Sequence, residues 1–291
     1  MLVDIGSPDV QVELDVVDTT LFGRSWAPSS LAEFSSVVQW ELMGPGDLAG
    51  WRGQALEAWP LHSGAFRRIM EPSRSWLLDN VAVTEDVMRE YERRLLNVAR
   101  LAGHGYVGRE LSDLELLAKL QHHGGATRLV DFTSNAFAGL WFACRAYPQE
   151  WGMVFGVKLD GVERVADDKT LKTPLPDLLG RANGNMMSWR PSALSPRIPA
   201  QAGFFLWSEV REGCAWTSLG EPTGAAPMPA NTSQLDDRFA AIAVSPELKL
   251  YMRSRWEDVL GLTEQTLFPD FDGFATANGA VQALPLSYWV D

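Results

Sequence analysis

The sequence predicts one domain of interleaved helices and strands, of α+β or α/β class. Three observations predict it. Capped, periodic helical stretches lie within 30–44, 84–103 and 112–124. Stretches of strand length, either alternating or uniformly apolar, separate and follow them. The composition, 46% hydrophobic and 21% charged over 291 residues, is that of a chain able to bury a core.

Residues 10–17, VQVELDVV, alternate apolar and polar, the period of a half-buried strand. Ser30 and Glu33 then predict a capping box, with apolar positions at Leu31, Phe34, Val37 and Val38 and a stop at Gly44. Residues 48–52 lead into Trp51-Arg52-Gly53-Gln54. Thr84 opens a long helix with a stripe at Val87, Tyr91, Leu95 and Val98, and Gly103 stops it. A second capping box, Ser112 with Glu115, starts a helix that runs to His122 before Gly124-Gly125 breaks it. Residues 134–147 are apolar nearly all round, which predicts a buried helix. Residues 152–159 read as a strand, and 160–200, rich in Pro, Asn and Gly, as an extended loop with short helical pieces. A strand at 203–208, a turn-rich insertion at 219–234 and a strand at 238–244 follow. Next comes a helix over 246–260 with Ser245 as cap and Pro246 at its first position. The tail over 267–284 reads as loop and short helix.

The net charge is −12 and the isoelectric point near 4.8. That argues against broad binding to a phosphate backbone, which needs a basic face, but leaves room for a local basic cleft. Cys144 and Cys214 are too few for a disulfide scaffold or a four-ligand zinc site. No apolar run approaches the roughly 18 residues of a membrane span, and the N-terminus lacks the pattern of a secretory signal. The chain therefore reads as soluble and cytoplasmic, with no membrane partner. Most of the 12 tryptophans are expected to fill the core.

Three constellations carry candidate chemistry. In Trp51-Arg52-Gly53-Gln54, a guanidinium beside a glycine suits an anion clamp, since the fork binds phosphate bidentately and glycine admits a ligand to the backbone. The plainer reading is a surface turn with a salt-bridged arginine. The second block, Gln121 to Ser134, packs two of the four histidines, a glycine pair, Thr127, Arg128, Asp131, Thr133 and Ser134 into 14 residues before the apolar helix. Arg128 and Asp131 are expected to pair, and Thr133 with Ser134 to cap that helix, whose N-terminus attracts anions. Its plainer reading is a satisfied loop. Adjacent histidines on a helix point apart, so no shared metal is expected. The third block, Ser195 to Phe205, sets Arg197 and Gln201 on the approach to a strand. Cys144, inside an apolar helix, is expected to be inert. Asp270 and Asp272 read as a turn rather than a metal site. No Gly-rich phosphate loop, H-E-x-x-H or G-x-S-x-G occurs.

Together the blocks resemble the FRG domain, named for a Phe-Arg-Gly start and followed by a block close to Q-H-x-G-x-x-T-R-L-L-D-W-T. Trp51-Arg52-Gly53 supplies the start, and Phe66-Arg67-Arg68 resembles the family's F-R. Gln121-His122-His123-Gly124 with Thr127 to Thr133 supplies the second block, with Ala126 in place of proline and Phe132 in place of tryptophan. Arg197-Ile198, Gln201 and Gly203-Phe204 resemble a third block, R-I-x-x-Q-x-G-x-F, and Leu267 to Gly273 the ending. The resemblance implies an FRG-like domain over 46–291, with 1–45 a strand-and-helix extension.

The order of blocks is also similar to that of ADP-ribosyltransferases of the arginine-serine-glutamate type. That similarity implies a single α+β domain with a split mixed or antiparallel sheet and flanking helices. It implies NAD as substrate and an ADP-ribosyltransferase or NAD glycohydrolase activity. Arg52, Gly53 and Gln54 would hold the diphosphate, with Thr127, Arg128, Thr133, Ser134 and Arg197 as further cofactor contacts. His122 and Thr133 would meet ribose or nicotinamide, and Gln201 or Asp131 would lie near the anomeric carbon. Trp51, Phe132 or His122 would stack on a base. If Gln201 takes the place of such a transferase's glutamate, the transferase mechanism is weakened or another acid serves, with Asp131 and Glu209 as the candidates. The setting implied is a bacterial toxin or defence effector, with a protein or nucleic-acid acceptor and a neutralising partner. The rival readings are a non-catalytic nucleotide-binding module and a metal-independent RNA-cleaving enzyme with His122 as base.

Overall fold

The computed structural model describes residues 2–4, 11–43, 48–70, 83–182, 185–191, 194–210 and 239–277. Two short strands, β1 (Leu2–Asp4) and β2 (Gln11–Glu13), pair with each other. The chain continues through β3 (Val16–Thr19), β4 (Gly23–Trp26) and α1 (Leu31–Met43) to β5 (Leu48–Gln54). Helices α2 (Gly64–Met70), α3 (Glu85–Leu101) and α4 (Asp113–His122) follow. Then come β6 (Val130–Thr133), α5 (Ala136–Cys144) and β7 (Gly152–Lys158). The stretch read as a long loop holds β8 (Glu163–Arg164), α6 (Asp168–Leu171), α7 (Leu175–Ala182), β9 (Met187–Trp189) and α8 (Arg197–Ala200). The described chain closes with β10 (Gly203–Trp207), β11 (Phe239–Val244), α9 (Pro246–Arg253), α10 (Glu264–Leu267) and α11 (Phe271–Ala277).

Among the described residues, nine strands form one mixed sheet in the order β3-β4-β11-β7-β5-β6-β10-β9-β8. The class is α+β. Most neighbours are antiparallel, while β4–β11 and β8–β9 are parallel. Between β5 and β6 the ladder is a single pair, Trp51↔Thr133, before the strands part, as it is between β4 and β11 at Trp26↔Ile242. No described helix is long and apolar enough to cross a membrane.

Local chemistry explains the helix starts. Ser112 and Glu115 exchange both bonds of a capping box, and Thr84 accepts from the Val87 N–H. At α1 the box is shifted: Ser30 Oγ accepts from Glu33 N, but the Glu33 carboxylate reaches Ser29 rather than Ser30. Two expectations change. The strand expected over 10–17 is broken into β2 and β3. The helix expected over 246–260 stops at Arg253, and a π-helical turn (Trp256–Leu260) follows that keeps Trp256 in the core. Cys214, Gly44 and the segment 219–234 lie outside the described residues.

Both faces of the central strands β7 and β11 are covered, so their side chains are apolar on both sides. Val154, Ile242 and Val244 meet α1, α5 and α9 on one face. Met153, Phe155, Val157, Ala241 and Ala243 meet Phe22 and Phe132 on the other. Residues from the N-terminal segment, including Leu14 and Phe34, belong to the first of these cores. Farther along the sheet, Phe205 and Trp207 pack with leucines of α4 and α7.

Helix α5 lies on β5 with almost no space between. A Cβ added at Gly53 would stand 1.8 Å from the Gly139 carbonyl oxygen and 2.7 Å from the Ala143 nitrogen. Gly139 in turn faces Trp51, whose Cβ would be 3.3 Å from an added methyl. The two glycines let helix and strand backbones touch. A buried amine ties the same pair at its far end: Lys249 Nζ donates to the carbonyls of Ala55 (2.6 Å), Tyr147 (3.1 Å) and Ala146 (3.4 Å). Burial lowers that amine to about 8. Gly53→Ala is expected to destabilise the protein by at least about 3 kcal/mol, since backbone on the far side cannot yield as a side chain can. Urea unfolding midpoints of the two proteins measure it.

Candidate functional site

The parting of β5 from β6 opens a cleft, and Arg52 spans it. Trp51 and Gly53 face α5, so strand alternation turns Arg52 and Gln54 the other way. Arg52 Nη1 donates to the Asp131 carbonyl at 2.9 Å and stands 3.9 Å from its carboxylate. The Arg52 side chain is 21% exposed, and its Nε is buried with no hydrogen-bond partner. Burial lowers its pKa, Asp131 opposes that, and nearby Arg67 adds to it.

Two cavities meet at this arginine. The larger, about 770 Å³, is walled by Phe142, Phe205 and Phe268 and takes in Arg52, His122, Asp131, Thr133, Arg197 and Gln201. The second, about 510 Å³, is more polar. Arg52, Gln121 and Asp131 line both. Residues 52, 122, 131, 133, 197 and 201 thus converge, although they come from β5, α4, β6 and α8 with the turn after it.

Gln121 orients the acid. Its Nε2 donates to Asp131 Oδ2 at 2.8 Å, and its Oε1 accepts from the Thr127 hydroxyl at 2.8 Å. Asp131 keeps 57% of its side chain exposed, so a ligand can reach it. At the opposite wall, Asp270 accepts two bonds from Arg197, at 2.5 and 2.7 Å, and lies 3.0 Å from His122 Nε2. Arg197 holds the Asp270 carboxyl down at about 2. Burial, with Arg197 close by, pushes His122 below its usual value, and Asp270 opposes the shift.

Ser195, His122 and Asp270 have the order of a hydrolytic triad but not its geometry. Ser195 Oγ is 3.1 Å from His122 Nδ1 and 3.3 Å from Nε2, on the axis of neither lone pair, and it accepts from Arg197 N. Asp270 is committed to Arg197. His122, His123 and Asp272 bring potential metal-ligating atoms within 4.8 Å of one another, with His123 Nδ1 and Asp272 Oδ2 at 3.0 Å. Two of these three side chains are exposed.

Several expected roles are corrected. Arg128 lines neither cavity. It is 2% exposed, and it binds Glu92 (2.7 and 2.6 Å), Glu85 (3.1 and 3.3 Å) and the Ser208 carbonyl, not Asp131. Thr127 is fully buried against Gln121. Gln54 is buried and donates to the carbonyls of Leu56 and Trp59. Gly53 is filled by α5, so its missing side chain serves packing and not ligand approach. Asn135, not Thr133 or Ser134, caps α5, by accepting from Phe137 N. Thr133 Oγ1 donates to the Gln201 carbonyl at 2.6 Å, and exposed Ser134 donates through N and Oγ to that of Ala202. These bonds hold the turn after α8, where Ala202 adopts φ 48°. Gln201 does reach the larger cavity, but its Nε2 is tied to the Leu267 carbonyl at 2.9 Å. Glu209 pairs with Arg89 at 2.6 Å away from the cleft. Trp51 and Phe132 line the larger cavity but are only 2% and 3% exposed. Burial raises the Cys144 thiol to about 12, which makes it inert.

Sequence reasoning gave no role to Phe268 or Arg145. The Arg145 and Arg197 guanidiniums lie 4.8 and 5.0 Å from the Phe268 ring centre, on the cavity wall. The sole sequence signal was the Leu267 to Gly273 block.

Fold and cleft define an α+β protein with a ligand-sized opening where its sheet parts. The sequence model of the FRG domain matches residues 48–151 of the chain. That span holds Arg52, His122, Asp131 and Thr133, while Arg197, Gln201 and Asp270 fall beyond it. No curated protein and no solved structure matches the chain.

The two arginines of the motifs should separate in a stability measurement. Arg128→Ala strands buried Glu92 without its cation and is expected to cost about 3–5 kcal/mol. Arg52→Ala removes one backbone bond and a loose ion pair, and is expected to cost less than about 1.5 kcal/mol. Urea denaturation of both variants checks the contrast.

Proposed function

We propose that the chain binds NAD across the cleft and breaks its nicotinamide–ribose bond, as an NAD-dependent ADP-ribosyltransferase or NAD glycohydrolase. One observation carries this reading: a guanidinium with an unpartnered Nε stands at the junction of two cavities, beside an exposed carboxylate that lines both. The cavities have the size of small-molecule sites. Arg52 orients the diphosphate. The base and its ribose lie against the aromatic wall of the larger cavity, with Phe268 as stacking surface in place of Trp51.

Bond cleavage sends the C1′–N1 electron pair out with nicotinamide, which leaves neutral, and positive charge builds on the ribose. Asp131, oriented by Gln121, stabilises that charge more in the transition state than in the ground state. The acceptor then attacks C1′ and releases its proton; with water as acceptor the product is ADP-ribose. This reading gives Asp131 the carboxylate's duty and leaves Gln201 to hold the tail through Leu267. A protein or nucleic-acid acceptor, a toxin or defence role and a cytoplasmic setting belong to the same proposal. The amide at residue 201 favours a second reading, a module that binds nucleotide and breaks no bond.

Free nicotinamide is the measured quantity. Release by the wild type, lowered about 100-fold or more by Arg52→Ala and by Asp131→Asn but only a few-fold by Gln201→Ala, is expected. Thermal stabilisation by NAD without release would identify the binding module. Release that survives both Arg52→Ala and Asp131→Asn would refute the assignment.

A further inference from the structure

The Phe66-Arg67-Arg68 block has no part in the reaction above, yet the structure aims it at the second cavity. Ala65, Phe66 and Ile69 bury one side of α2 against Met88 and Tyr91. That leaves Arg67 and Arg68 exposed, and both line the 510 Å³ cavity together with Arg52. Arg67 Nη1 donates to the His62 carbonyl at 2.9 Å. Arg68 Nη1 donates to the Tyr91 hydroxyl at 3.2 Å and its guanidinium lies 5.7 Å from the ring centre. These neutral partners fix the two side chains, and Asp131 is the carboxylate that acts on the charge of Arg67. Among the described residues neither forms an ion pair, whereas Arg89, Arg93, Arg94, Arg100, Arg109, Arg128, Arg145 and Arg197 each do.

Three guanidiniums therefore border one cavity that holds a single carboxylate among its lining residues, the exposed Asp131. This is found in a chain of net charge −12. Arg67 lies near enough to Arg52 for the two cations to repel. Gathering like charges is unfavourable without an anion, and planar forks match phosphate oxygens bidentately. Ser63, a hydroxyl on the same wall, adds a neutral polar group. We infer that the second cavity is a phosphate site, formed by Arg67 and Arg68 with Arg52 shared, for the phosphate group of a nucleotide or for free phosphate. The inference stands apart from NAD cleavage, because it needs no bond to break.

The test is calorimetric titration of the full chain, at low salt, with inorganic phosphate and separately with adenosine 5′-monophosphate. Phosphate is expected to bind in the millimolar range or tighter. The Arg67→Gln/Arg68→Gln double variant should weaken it at least about tenfold, while Arg93→Gln, on an exposed face of α3, leaves it unchanged. Tighter binding of the nucleotide, lost equally in the double variant, assigns the site to a nucleotide phosphate. Equal affinities assign it to free phosphate. Should the double variant not fold, Arg67→Lys, which keeps the charge and loses the fork, is expected to weaken phosphate several-fold. No phosphate binding by the wild type, or binding unaltered by these changes, would overturn the inference whether or not nicotinamide is released.

Discussion

The structure turns on the contact between two backbones, Gly53 on β5 and Gly139 on α5. A helix normally stands off a sheet by the thickness of its side chains. Here an added Cβ at residue 53 would be 1.8 Å from a helix carbonyl, so α5 sits directly on the strand. Three consequences follow. Trp51 is locked under the helix. The strand is fixed in twist and register, with Arg52 turned away from α5 by alternation. The start of α5 is held beside Thr133, the one residue through which β6 pairs with β5. The glycine of the Trp-Arg-Gly motif thus acts on the ligand site indirectly, by placing its neighbour.

The same logic separates arginines that hold the fold from those free to hold something else. Arg128 is surrounded by two carboxylates and a carbonyl, all buried or nearly so. Such a group has no capacity left for a ligand. Arg197 is similarly engaged by Asp270, which joins the third block to the tail and lies beside His122. Arg52 has one backbone partner, a distant carboxylate and an idle Nε. In a protein with an excess of acidic residues, idle guanidiniums beside open space are the informative ones.

Much of the fold was legible because it is set locally. Ser112 with Glu115 and Thr84 name their helices through bonds three residues long, and Gly103 and Gly124 take the positive φ that ends them. Of the stretch 134–147, the part that forms α5 (136–144) was readable as buried from its uniform apolarity, while Ser134, Asn135, Arg145 and Tyr147 are exposed. Strand β6 was not legible, since four residues inside a polar block carry too little period. Nor were β8 and β9, whose pairing depends on partners outside their own short spans. In the site, the motif arginine, histidine, aspartate and threonine were legible as a group, but their roles were not. Whether an arginine faces a cavity or a pair of glutamates depends on contacts such as Arg128 with Glu92, 36 positions apart, or Arg197 with Asp270, 73 apart. Position 201 was read as near the reacting carbon, and only the fold reveals that its amide is held by Leu267.

The central claim is that Arg52 is kept open for an anionic ligand where the sheet parts. Its Nε–H reports this directly. In a protein with ¹⁵N-labelled arginine, with the Arg52 signal assigned through Arg52→Lys, titration with NAD is followed at the Nε–H resonances. The account predicts that the Arg52 resonance shifts progressively and saturates while that of Arg128 stays in place. A titration that moves other resonances and leaves Arg52 where it was would contradict it.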